Sequence, residues 1–445
     1  MVEPQRAIPS PSRRSPYSQQ VRAPVGRLQG GPARGKLLLL ASPASAFLLL
    51  FPTIGFYTLA AYVNVIAPEG STGSIVIRAA SLAILLIAWV GVPKKHRRRF
   101  GSLFLPATIF IAIYSYRLFD NIVLSEINIP PGNILVITVF FLSGIVPAYL
   151  LASIDRSIND KDMTTLLSLF SLLFVVGMIL NREALMATAE RRMMLDKINP
   201  IALAYVSSSL MLFYFLSFTR SKWIMFEALL IVPILLLIVS LARSRGMLIS
   251  TGIALAIYLL VLKGTRRIWT LAGLAIVGAA VGLYANPEYI DHVTKALGRI
   301  DTESDMSTVG RVMAFQGAWE QFLTDPFLGR YAIELSTNYY PHNIYLESLM
   351  SVGLIGTVPF MIHFGMALRA AIGLIRERNA SFTRVFVALL FVRDAIGAAG
   401  SGGLWSVSGY WITSFLVIVM WYGRRQDERL LHARLRRQAV HDWQG

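Results

Sequence analysis

The sequence predicts an all-α polytopic membrane protein with about twelve transmembrane helices and one large loop subdomain on the outer face. Three observations predict it. The chain is 55% hydrophobic and 15% charged, with a mean hydropathy of +0.57, too apolar for a soluble globular protein. Several runs of about 18–22 residues carry almost no charge, the length that crosses a bilayer core. Those runs are continuous rather than alternating, which selects helices over a β-barrel.

Residues 1–36 are rich in Pro, Ser, Arg and Gly and hold seven Lys or Arg against the single acid Glu3. They lack an apolar pattern and read as a disordered basic cytoplasmic tail. "ASPASA" (41–46) imitates a signal-peptidase site. The apolar stretch before it is too short and the tail too long, so no cleavage is expected. Twelve spans follow, near 44–66, 74–92, 101–118, 133–152, 163–180, 200–218, 224–241, 247–262, 268–285, 343–368, 385–400 and 404–422. The organisation is therefore helices one to nine over 37–285, a large outer loop with short helices over 286–342, helices ten to twelve over 343–422, and a basic cytoplasmic tail over 423–445. Within the loop, "DMSTVGRVMAFQGAWEQFLTDPFLG" carries an amphipathic helix from about Val309 to Leu323, stopped before Pro326.

Charge sets the orientation. With the N-terminus inside, every inner connection is basic, from "KKHRRR" (94–99) to the C-terminal tail. The inner segments hold 29 of the 42 Lys and Arg. This predicts N-in, C-in topology. The net charge of +17 then belongs to topology and lipid headgroups, not nucleic acid. The C-terminal segment reads equally as a basic surface helix or a solvated charged tail. Cysteine is absent, which excludes disulfides, a thiol nucleophile and a cysteine metal site. No metal-ligand histidine spacing is present, and "DTESD" (301–305) reads as a solvated loop more readily than as a divalent-ion site.

Arginines on the outer side break the topology rule. Arg191, Arg192, Arg243, Arg245, Arg299, Arg311 and Arg330 fall there. Any one of them can snorkel to lipid phosphates or pair with a loop acid. As a set they suggest an anion site, because guanidinium is always charged and holds phosphate in a fork. Arg78 and Arg393 fall inside spans, where internal pairing accounts for them.

Of six histidines, His96, His432 and His441 fall on the inner side and His363 within the tenth span as a packing residue. His292 and His342 are left outside. His342 stands in "NYYPHNIYLESLMSVGLIG", at the entry to the tenth span. Pro341 disfavours helix at Tyr340, and Asn343 or His342 can cap the next helix. The positive end of that helix favours a neutral imidazole, a competent general base for a hydroxyl. Tyr339, Tyr340 and Tyr345 offer faces for sugar rings, although interfacial tyrosines also anchor membrane proteins.

"PHNIYLESLMSVGLIG" resembles the His-Asn…Leu…Gly-Leu-x-Gly signature of the bacterial O-antigen ligase and polysaccharide polymerase family. "SRG" (244–246) resembles its Ser-Arg-Gly turn between two spans. "GRVMAFQGAWEQFLTDPFLG" (310–329) resembles its Arg…Trp…Pro-x-x-Gly stretch, and "RRMMLDKINPIALA" its Arg…Asn-Pro entry to a middle span. Together these cover Arg191 to Gly356. The resemblance implies a GT-C-like helical enzyme of the Gram-negative inner membrane, with its active site facing the periplasm and no cofactor or metal. It implies transfer of a glycan from undecaprenyl pyrophosphate to a sugar hydroxyl of lipid A–core, among membrane lipids. His342 would be the base, or would orient the acceptor. Arg191, Arg245 and Arg311 would hold the pyrophosphate, with Arg192 and Arg243 as further members. Asn343, Tyr339 and Tyr340 would support the acceptor or cap the helix. A short 181–199 loop beside a long 286–341 loop favours ligase over polymerase. A protein O-glycosyltransferase using the same donor is the other alternative, and a transporter or scaffold stands further off.

Overall fold

A computed structural model of the chain describes residues 45–66, 72–91, 101–121, 131–154, 158–189, 195, 198–218, 221–242, 244–262, 271, 306–377 and 380–425. All fall within one compact unit, Leu40–Gly445. Helix dominates, and among the described residues there is no strand, only the isolated bridges Leu195–Ile198 and Glu334–Tyr339. The basic tails over 1–36 and 426–445, the expected span at 268–285 apart from Leu271, and the "DTESD" segment lie outside the described residues.

The helices are α1 (Phe56–Ile66), α2 (Thr72–Gly91), α3 (Leu105–Phe119), α4 (Pro131–Ser153), α5 (Asp160–Leu180), α6 (Arg182–Ala189), α7 (Pro200–Ser217), α8 (Lys222–Leu241), α9 (Arg245–Val261), α10 (Met306–Thr324), α11 (Ile344–Arg376), α12 (Phe382–Ser401) and α13 (Ser408–Ile418). Each expected span other than 268–285 contains helix, with α1 covering only part of 44–66 and α13 only part of 404–422. Six described helices are long and apolar enough to cross a membrane: Ser45–Val65, Ser102–Phe119, Asp160–Leu180, Pro200–Ser217, Lys222–Leu241 and Ile344–Arg376. Ile137–Ser153 and Gly246–Val261 are shorter apolar stretches.

Burial separates inner from outer helices. Almost every residue of α7 is buried, the pattern of a helix that is apolar all round and central. In α5, by contrast, Leu169, Leu172, Val176 and Ile179 are exposed, a stripe that suits lipid. Small residues let helices close up. Gly144 of α4 leaves room for Ser408 at the start of α13, and Gly177 of α5 for Ala61 of α1. Aromatic rings fill the interior, with Phe104 stacked on Phe415 at 4.7 Å and Phe110 near Phe360 at 4.8 Å.

The buried ionisable groups Glu227 and Arg393 are satisfied internally, as an apolar surround demands. Glu227 accepts from Ser168 and Tyr214 at 2.7–2.8 Å. Arg393 donates to Asp394 at 2.6 and 2.9 Å, bonds Ser208, Ser209 and the Tyr205 carbonyl, and lies over the Tyr205 ring at 4.3 Å. The in-span arginine at 393 is thus internally paired. Pro52 sits in a π-helical turn, Phe51–Gly55, that absorbs its missing donor.

Helix α11 departs from its expected length. Its helical turns run on to Arg376, past the apolar segment that hydropathy marks. It is also broken. Gly353 sits at φ 58°, ψ −165°, a backbone state open essentially to glycine alone.

Candidate active site

The break in α11 is filled by the segment after α10. Leu354 N–H donates to the Pro326 carbonyl at 2.8 Å and Ile355 N–H to the Phe327 carbonyl at 3.1 Å. In return, Arg330 N–H donates to the Met350 carbonyl at 3.2 Å. The orphan donors of the second half-helix and an acceptor of the first are thus satisfied by one inserted turn. Glycine is required on both sides. Gly329 (φ 63°) and Gly353 face each other so closely that a Cβ on Gly329 would come 2.5 Å from the Ser351 carbonyl carbon. The "DPFLG" and "GLIG" elements are therefore two halves of one joint.

Arg117, at the last turn of α3, holds that joint shut. It donates to the carbonyls of Ser351 (3.0 Å), Leu328 (3.2 Å) and Gly329 (2.8 Å) and pairs with Asp120 at 3.1 Å. Asn121 extends the clamp, bonding the Arg330 carbonyl at 3.1 Å and accepting from Ala332 N–H at 2.6 Å.

From there the chain returns through a tight turn. Glu334 accepts four hydrogen bonds from Ser336 and Thr337, and its N–H donates to the Tyr339 carbonyl at 2.8 Å. Burial raises the Glu334 carboxyl, but those hydrogen bonds outweigh it and hold it below the usual range. Gln321 of α10 bonds both Ile333 and Leu335, so the turn is tied to that helix. The turn delivers Tyr339, Tyr340, Pro341 and His342 to the mouth of α11. Asn343 is the cap there, accepting from Tyr345 and Leu346 N–H at 3.0 and 3.1 Å.

His342 is left in an unusual state. Its φ is +58°, so its backbone is left-handed. It is half-buried, and Nδ1 is buried with no hydrogen-bond partner among the described residues. Tyr340 packs on the ring at 4.5 Å and Tyr339 lies at 5.7 Å. Tyr339 is exposed, whereas Tyr340 is buried against Trp405, with the bare backbone of Gly403 beside it. Burial, and then the Arg311 guanidinium, push the His342 pKa from 6.5 down to about 4. The imidazole is neutral at physiological pH, and the Arg311 guanidinium on α10 acts on it through its charge.

The structure brings two of the four motifs directly to His342: the α10 stretch with Arg311 and the "PHN" entry itself. The "SRG" turn reaches the same end of the bundle. Gly246 lies 3.3 Å by its would-be Cβ from Ser401 Oγ, at the end of α12 that leads to Gly403 and Tyr340. Arg245 opens α9 there, its backbone placed and its side chain outside the described set. Asn199 caps α7 through Ala202 N–H at 2.8 Å, as an Asn-Pro helix entry should. Arg191, Arg192 and Arg243 lie outside the described residues. No group of three metal-ligating side chains occurs among the described residues.

Glu347 also belongs to this end. It is fully buried, accepting from Tyr114 Oη and from Leu404 N–H, both at 2.8 Å. It joins α3, α11 and the loop before α13. An acid at the fourth position of the apolar run from Ile344 was the available sequence signal. Arg117 had a weaker one, as a cation at the outer end of a span.

Residues 230–361 match the family model described as O-antigen ligase. The match runs from within α8 to within α11 and contains Arg243, Arg245, Arg311, His342, Asn343 and both glycines of the joint. The family resemblance read from the motifs holds over that stretch. A comparison with the curated proteins returns no match.

Proposed function

We propose that the chain, as a member of the O-antigen ligase family over residues 230–361, moves a glycan from undecaprenyl pyrophosphate to a sugar hydroxyl of lipid A–core. Transfer takes place at the periplasmic face of the Gram-negative inner membrane, with inversion and without a metal. The observation that carries this reading is His342: a half-buried imidazole on left-handed backbone at the mouth of α11, held neutral by burial and by the Arg311 charge.

The acceptor hydroxyl gives its proton to His342 as its oxygen bonds to the anomeric carbon. The bond from that carbon to the pyrophosphate oxygen breaks, and undecaprenyl pyrophosphate leaves. No acid is needed at a leaving group this good. Arg311, with Arg245 and Arg191, meets the negative charge that develops there, and Arg192 and Arg243 are further candidates. The low pKa of His342 in the free protein is useful before the donor binds, because the base stays unprotonated. The pyrophosphate then brings negative charge into the same site and raises the pKa, strengthening the base as the reaction needs it. The spans hold the polyprenyl chain in lipid and so limit the search of donor for acceptor. Exposed Tyr339 offers a stacking face to the glycan, while Tyr340 and Asn343 fix the histidine.

The test supplies purified protein with an undecaprenyl-pyrophosphate glycan and lipid A–core. Product on lipid A–core supports the ligase reading. Lengthening of the lipid-linked glycan alone replaces it with a polymerase.

A further inference from the structure

We infer that the bundle end opposite His342 carries a second anion site, one that holds the phosphate headgroup of an acidic membrane lipid. A cavity of about 460 Å³ opens there between the last turn of α11 and the π-helical turn Val419–Gly423 that extends α13. Gly373, Arg376 and Glu377 wall one side; Met420, Trp421, Arg424 and Arg425 wall the other.

Among the described residues, three guanidiniums meet one carboxylate in this concavity, and the carboxylate is already engaged, because Arg424 pairs with Glu377. The positive excess is therefore carried by Arg376 and Arg425. Arg425 lies over the Trp421 ring, its guanidinium carbon 4.0 Å from the ring centre. A guanidinium carries five N–H donors, enough to meet a phosphate as a fork. The Trp421 ring in turn rests on bare backbone: a Cβ at Gly373 would come 2.5 Å from it. The C-terminal end of α11 and Glu377 oppose an anion, but the guanidinium excess outweighs them.

Position selects a lipid rather than free phosphate. The exposed apolar residues of α11 run from Leu354 to Ile372, and Arg376 stands one turn further on. The cavity thus begins where the lipid-facing stripe ends, at headgroup level. Met420 and the Trp421 ring give an apolar wall for the glycerol and the start of an acyl chain. Charge along the sequence assigns this end to the cytoplasmic side, where acidic lipids attract basic pockets between helices.

Native mass spectrometry of the full-length protein, loaded with equal amounts of phosphatidylglycerol and phosphatidylcholine, tests the site. The wild type should retain phosphatidylglycerol preferentially. The double variant Arg376→Gln/Arg425→Gln should lose that retention by about fivefold or more, and Trp421→Phe should weaken it without removing charge. Equal retention of the two lipids, or retention untouched by all three substitutions, overturns the site. Ten-millimolar inorganic phosphate should not displace the lipid; displacement assigns the pocket to free phosphate and overturns the lipid assignment.

Discussion

One histidine stands at the entry to α11 and one within it, and their surroundings differ in the way a reactive and a structural imidazole are expected to differ. His363 lies deep in the bundle. Its Nε2 bonds Ser414 Oγ at 3.0 Å, and the rings of Phe415 and Trp411 enclose it at 4.9 and 6.3 Å. His342 stands at the mouth of the same helix, on left-handed backbone, half-buried, with Arg311 acting on it. One histidine is fixed by its neighbours; the other is fixed by its backbone, through Pro341, the Asn343 cap and the clamped loop. Nδ1 has no partner among the described residues in either ring, so it is position that distinguishes them: His342 stands at the helix mouth and His363 inside the bundle.

The strongest way to break this comparison is to truncate each in turn. His342→Ala should lower transfer by about 10²–10⁴-fold, the usual worth of a general base, with membrane insertion unchanged. His363→Ala should keep transfer within a few-fold and instead lower thermal stability by about 1–3 kcal/mol, from the lost Ser414 bond and the cavity. The pair is read by turnover and thermal unfolding of the purified proteins. Equal losses of turnover would erase the distinction.

The clamp that presents His342 should matter next. Gly353→Ala places a Cβ against the Phe327 carbonyl in a backbone state that costs about 1–3 kcal/mol by itself, so both the unfolding temperature and transfer should fall. Arg117→Met removes the donors to three carbonyls while keeping the bulk. It should reduce transfer less than His342→Ala does, by up to about 10²-fold through misplacement alone, and proteolysis near 326–330 should quicken. Wild-type proteolysis rates in the Arg117→Met protein would detach the joint from the site. Glu347→Gln should have the smallest effect. An amide keeps an acceptor for Leu404 N–H, so a loss beyond about tenfold would give the carboxylate a role other than tying helices together.

Legibility in the sequence followed the range of the interactions. The helices were legible because hydropathy is local, and so was the Asn343 cap, whose partners lie two and three residues away. The position of His342 was legible from Pro341 and the apolar run behind it. The glycines of "GLIG" were visible as a motif, but their job was not, because it is a backbone contact with a segment about two dozen residues earlier in the chain. Arg117 was hidden for the same reason more strongly: its Ser351 partner is 234 residues away. Periodicity carries no trace of such a pairing. Tyr339 and Tyr340 looked equivalent as neighbours in the sequence, and only packing against Trp405 distinguishes the buried one from the exposed one.

The central claim is that burial and Arg311 keep His342 neutral so that it can take the acceptor proton. The folded pKa lies below the ordinary 6.5, so the protonated form is disfavoured in the folded protein. The stability this group contributes is therefore present above pH 6.5 and is lost as pH falls through that value towards about 4. The most direct measurement is the acid limb of kcat/KM against pH, for wild type and for Arg311→Gln. The limb should lie near pH 4 in the wild type and move up in the variant, though not as far as 6.5 because burial remains, alongside a lower plateau. A wild-type limb at 6.5 that Arg311→Gln leaves in place would contradict the account.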